Sequence, residues 1–230
     1  MTFNDFLLNK VVFEIRYSQG YQFWDRGGAV LYKIEQEIPD LIGIRRNQDE
    51  YLVRNSKLKL EATYGWKKLW IEQLEVDNLN QFKKHSDLLW KIISSNLQIP
   101  KINRVGNRFW FVLPCKSSKE AEGIISKAKI FGPKVENISI FGTEVVTRDF
   151  TLIIKDGDIE NRVACGSASR KPDSDLDKDK EFLKFNPFDA VLVDIDISTT
   201  KNLSLDKFIP SEFIQRAIKR IESNLVKLLS

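Results

Sequence analysis

The chain has 230 residues, with 36 Lys+Arg against 32 Asp+Glu, a net charge of +4, two cysteines and one histidine. Two cysteines exclude a disulfide scaffold and a four-thiolate zinc site, and a single histidine excludes every multi-histidine metal centre. Hydrophobic residues at 42% and charged residues at 30% suffice for a sizeable core, while the small charge excess does not demand a nucleic-acid partner.

Along the chain, Asn4, Asp5, Asn9 and Lys10 interrupt the N-terminal apolar residues, so no signal-peptide core is read there. No apolar run approaches the ~18 to 20 residues that a membrane span needs, and a cytoplasmic protein without membrane contact is expected. Lys10–Tyr17 alternates as a strand, with Val11, Phe13, Ile15 and Tyr17 on one face and Glu14 and Arg16 on the other. A helix over about 22–37 follows, with Gly27 and Gly28 weakening its first turns and Pro39–Asp40 stopping it.

Four strands are predicted next, at Leu41–Arg46, Glu50–Arg54, Lys57–Tyr64 and Lys67–Val76, separated by turn residues at hairpin spacing. A helix from about Leu79 to Asn96 carries Phe82, Leu89 and Ile93 on its apolar stripe, with His85 on or beside it. After Pro100 the order restarts. Ile102–Leu113 reads as a strand, and Ser117 with Glu120 forms a capping-box signature for a helix that Gly132–Pro133 ends. Strands are predicted at Asn137–Phe141, Glu144–Lys155, Ile159–Cys165 and Asp189–Ser198, then a last helix over about Ser211–Leu229.

Each half thus reads strand, helix, four strands, helix. This predicts an α+β fold in which duplicated β-α-β4-α units, 1–98 and 99–230, form one curved antiparallel sheet with helices on one face. The layout resembles the duplicated saddle of the TATA-box-binding protein, a likeness of topology that transfers no function. The polar stretch 166–184 breaks the pattern and reads as a mobile insertion between two strands, or as a ligand-ordered lid.

No phosphate-binding glycine loop, nucleophile elbow or metal-ligand spacing is present, so no catalytic residue, metal site or cofactor is expected. The more specific pattern lies on two strands. Arg104, Arg108 and Trp110 share one face of Ile102–Leu113, opposite Val105, Phe109, Phe111 and Leu113. Asp194 and Asp196 share one face of the last strand. Arg16 joins them on the face away from the helices, and Thr147, Asp149, Glu160 and Arg162 are placed to approach it.

The R-x-G-x-R-aromatic strand at Arg104–Phe109, the segment VVFEIRY at Val11–Tyr17 and the VDID strand at Val193–Asp196 resemble a sporadically distributed bacterial family of uncharacterised proteins of about this length. The resemblance implies a shared fold and a bacterial or phage origin, and nothing catalytic. Where that family's pattern often has Asn after the Arg-aromatic pair, this chain has Trp110-Phe111-Val112.

Three functional classes remain open. An interaction module would bind a protein partner or a second copy through the open sheet face or its edges, without catalysis. A nucleic-acid binder would track phosphates with the arginines, against opposition from Glu14, Glu61, Asp149, Glu160, Asp194 and Asp196. A metal-dependent phosphodiesterase would use Asp194, Asp196 and Asp149 or Glu160. The arrangement that needs no ligand at all is ion pairing of Arg104 and Arg108 with Asp194, Asp196 or Asp149 across the strands.

Overall fold

Alternating apolar and polar residues make β1 (Leu7–Tyr17) a strand with one buried face, carrying Val11, Phe13, Ile15 and Tyr17. A computed structural model describes residues 1–128, 149–170, 188–205 and 208–229. After β1 come α1 (Phe23–Glu37), β2 (Ile42–Arg45), β3 (Glu50–Asn55), β4 (Leu60–Gly65), β5 (Lys68–Leu74) and α2 (Leu79–Leu97). Then follow β6 (Ile102–Cys115), α3 (Ser118–Lys127), β7 (Asp149–Asp156), β8 (Ile159–Arg170), β9 (Phe188–Thr199) and α4 (Pro210–Leu228).

The nine described strands form one antiparallel sheet in the order β2-β3-β4-β5-β1-β6-β9-β8-β7. The four helices pack on one face, and the buried apolar residues of both halves join into a single core. Outward from the centre the sheet runs β1-β5-β4-β3-β2 on one side and β6-β9-β8-β7 on the other.

The helices α2 and α4 each have 19 residues, and their buried faces keep the same spacing. In α2 that face is Phe82, His85, Ser86, Leu89, Trp90, Ile93 and Leu97, with Ile92 in addition; in α4 it is Pro210, Phe213, Ile214, Ala217, Ile218, Ile221 and Leu225. Lys83 Nζ donates to Gln215 Oε1 at 2.6 Å, and the Ser211 N–H donates to Asp87 Oδ1 at 2.8 Å, so the helices run antiparallel. One sequence shift that carries Lys83 to Ser211 and Asp87 to Gln215 exchanges these two contacts.

Several boundaries differ from the sequence expectation, each for a local reason. The strand predicted from Lys57 starts at Leu60 because Asn55 Oδ1 accepts the Leu58 N–H and Lys59 takes a left-handed φ of 49°, closing a turn. Glu75, also at φ 49°, ends β5 before Val76. The α1 helix includes both glycines, because Gly27 lies against the Tyr51 ring and its carbonyl accepts from Tyr64 Oη at 2.8 Å. The β8 strand extends through Gly166 to Arg170, paired with Phe188–Leu192 of β9, inside the stretch read as an insertion from residue 166. The predicted helix end at Gly132–Pro133, the strand Asn137–Phe141, the start of the strand at Glu144, Thr147 and most of the 166–184 stretch lie outside the described residues.

Candidate interaction surface

The face opposite the helices is built from register. One row crosses all nine strands as Ile42, Arg54, Glu61, Glu72, Val12, Arg108, Asp196, Arg162 and Ile153, each opposite the next. The adjacent row contains Ile44, Thr63, Trp70, Glu14, Gly106 and Ser198, and the row on the other side of the first places Lys10, Trp110 and Asp194 side by side.

Two ion-pair groups occupy the centre. In the first, Glu14 Oε1 accepts from Arg16 Nε and from Arg104 Nη1, both at 2.8 Å, and Arg104 Nη2 lies 3.7 Å from Asp196 Oδ2. Gly106 makes room for this group, since a Cβ there would lie 3.0 Å from Arg104 Nη1. In the second, Arg108 grips Asp194 with both prongs, Nε to Oδ1 at 2.7 Å and Nη2 to Oδ2 at 2.6 Å. Arg162 Nη1 adds a third hydrogen bond to Asp194 at 3.2 Å.

Arg108 and Arg162 stand directly opposite Asp196 yet both bond to Asp194, one pleat along, because a guanidinium reaches the diagonal cross-strand neighbour. Hydrogen bonding to Asp194 raises the Arg108 pKa, with burial opposing it. Burial pushes the Asp196 carboxyl up, and Arg104 and Arg108 pull it back without cancelling the effect.

Trp110 lies under two cations, Lys10 Nζ at 5.2 Å and the Arg108 guanidinium at 5.0 Å from its ring centre. Its indole N–H is buried and has no hydrogen-bond acceptor among the described residues. Lys10 in turn pairs with Glu72 at 2.8 Å, and Lys68 with Glu50 at 3.0 Å. Apolar side chains flank the charges: Ile42 and Ile44 near one edge, Ile153 on β7, and Leu7 and Leu192 at one end of the central strands. Ile42 is 67% and Ile153 65% exposed.

Arg16, Arg104, Arg108, Trp110, Arg162, Asp194 and Asp196 thus share one surface. Asp149 lies on the same face at the β7 edge, opposite Gly166 in the row of Leu192, but takes part in neither ion-pair group. Sequence reasoning treated Glu14 only as a negative charge and missed it as the shared acceptor of two arginines. It also missed Lys10, whose place on the β1 face with Glu14 and Arg16 was available from the period of two. Among the described residues, no group of three or more His, Cys, Asp or Glu side chains is placed to hold a metal ion. Within the same limits, no helix is long and apolar enough to cross a membrane. No protein-family model matches this chain, and no curated protein matches it significantly.

Proposed function

We propose that this chain is a non-enzymatic interaction module that presents its open sheet face to a protein partner. The observation that carries the reading is the state of the central charges. Arg16, Arg104, Arg108 and Arg162 are matched by Glu14, Asp194 and Asp196, and exposed aliphatic side chains lie towards the sheet edges and one end of the central strands. A phosphate-tracking surface needs guanidinium groups without internal carboxylate partners. A mixed surface of paired charges with flanking apolar side chains suits another protein.

The chain is further proposed to be a duplication of one β-α-β4-α unit, similar in layout to the TATA-box-binding protein saddle. The outward strand order and the matching α2 and α4 faces support this. Membership of the bacterial family resembled by the R-x-G-x-R-aromatic strand is part of the same reading.

Photo-crosslinking in the native cell tests the function. A photoreactive residue at Ile153 or Leu192 is expected to give a discrete protein adduct that Trp110→Glu removes, whereas the same probe at Lys219 on α4 gives none. Nuclease-sensitive adducts, or oligonucleotide binding that falls steeply with salt, would overturn the proposal.

A further inference from the structure

Over β4 and β5 the open face sinks into a hollow of about 340 Å³, lined by Arg46, Glu61, Thr63, Lys68, Trp70 and Glu72. Register sets its layout. Glu61 stands opposite Glu72, and Thr63 stands opposite Trp70 one pleat along. Lys68 lies two residues before Trp70 on β5, and Arg46 reaches in from just beyond β2, where its N–H donates to the Glu50 carbonyl at 3.0 Å. Acidic side chains therefore mark one end and basic side chains the other. Four residues of strand, about 14 Å, separate them, with Trp70 between. Gly65 leaves the basic end without a side chain on β4, because a Cβ there would lie 2.5 Å from the Asp49 carbonyl oxygen.

The charges are unequally answered. Lys68 pairs with Glu50 at 3.0 Å, and Arg46 faces the same Glu50 across the strands. Glu72 pairs with Lys10 at 2.8 Å, and Lys10 is shared with the Trp110 ring 5.2 Å away. Glu61 is exposed, makes no ion pair among the described residues and faces a like charge directly across the strands, which costs stability. Arg54, opposite Glu61 on its other side, lines no part of the hollow. Thr63 is 7% exposed, and its hydroxyl has no hydrogen-bond partner among the described residues.

Trp70 decides the sign of the group that fits. The face of an indole attracts a cation within about 6 Å of its centre, and both carboxylates stand beside that ring. A lysine or arginine suits such a floor, since its apolar stem can lie along the indole while its charged head reaches the carboxylates.

We propose that the hollow takes one lysine or arginine side chain of the protein partner, held over Trp70 by Glu61 and Glu72. The inference rests on the open-face reading and supplies the partner's chemistry at this place.

The probes are Nα-acetyl-argininamide and Nα-acetyl-lysinamide, titrated into the isotope-labelled full chain while the indole N–H resonances of its five tryptophans are followed by NMR. Trp70→Phe assigns the Trp70 signal. A saturable shift of that signal is expected with both cations, and Glu61→Gln should weaken the binding at least about threefold with an unchanged melting temperature. Nα-acetyl-citrullinamide, of the same shape without the charge, should leave the signal in place. No shift up to about 50 mM probe, an equal shift with the citrulline compound, or equal binding by Glu61→Gln overturns the inference. Free arginine binding about tenfold tighter than the blocked compound also overturns it, by assigning the hollow to an amino acid. Binding that appears only in Arg54→Ala overturns it as well, by assigning the hollow to the chain's own Arg54. The titration needs no partner, so its failure is distinct from a failure of the crosslinking at Ile153 or Leu192.

Discussion

At the residue scale the open face is ruled by shared acceptors. Glu14 is 8% exposed and serves two guanidinium groups, so its loss leaves Arg104 with only the longer contact to Asp196. Glu14→Gln should cost about 1–3 kcal/mol in urea melts, the scale for an unsatisfied buried polar partner, while Arg16→Ala from the solvent side should cost about 0–1. Asp196 behaves in the opposite sense. A carboxyl whose pKa is raised on folding holds its proton more tightly in the folded chain, so its stability contribution falls as pH rises through the raised value. Asp196→Asn is therefore expected to stabilise the chain at neutral pH. The gap to wild type should close as pH falls below about 4, where both folded and unfolded wild type are protonated; melting temperatures across pH check this. Cys165 supplies a third residue-level expectation. Burial pushes its thiol up to about 12, so thiol reagents at neutral pH should label it only after denaturation.

At the scale of the element, two helices depend on groups from elsewhere. The Ile209 N-cap of α4 offers no side-chain acceptor, and Asp87 of α2 takes the Ser211 N–H in its stead. Asp87→Ala should cost about 1 kcal/mol, as the loss of an ordinary cap does, and Asp87→Asn should recover most of it in the same denaturation assay. In α1 the close approach of Gly27 to Tyr51 reverses the usual helix preference. Alanine gains about 1 kcal/mol of propensity in a helix interior, but its Cβ would stand 2.6 Å from Tyr51 Cε2, in a ring cluster with Phe23 and Tyr64. A lowered melting temperature for Gly27→Ala is expected.

These elements also show what the sequence could and could not reveal. The period of two separated Arg104, Arg108 and Trp110 from Val105, Phe109 and Phe111, and the structure keeps that division because one face is buried. Register across strands is not written in that period. Nothing in the spacing says that Arg108 bypasses Asp196 for Asp194, or that Asp149 falls outside both ion-pair groups. The turn read at Asn55–Ser56 extends through Lys59: Lys57–Tyr64 alternates cleanly, but the Asn55 side chain, a local acceptor for the Leu58 N–H three residues on, decides the backbone.

For the whole molecule, the pairing of β1 with β6 joins the halves at the centre of one sheet, and α2 against α4 joins them again in the helical layer. A single core spans both, so calorimetry should record one unfolding transition, with calorimetric and van't Hoff enthalpies in agreement. The β2 edge is closed by chemistry. The strand has four residues, and Glu35 Oε1 accepts the Gly43 N–H at 2.9 Å, removing a donor that an incoming strand would use. Glu35→Ala should raise the rate of thioflavin-positive aggregation while leaving the open-face ion pairs intact.

The central place of β1 has a consequence for how the chain is made. Its apolar residues Val11, Phe13 and Ile15 are made before either strand neighbour, Lys68–Leu74 or Ile102–Cys115. This strand must wait until β6 has been made before both its edges are satisfied. Such distant pairings delay folding and leave a sticky intermediate on the ribosome, so this protein's yield in the cell should depend on holding chaperones far more than its finished stability does.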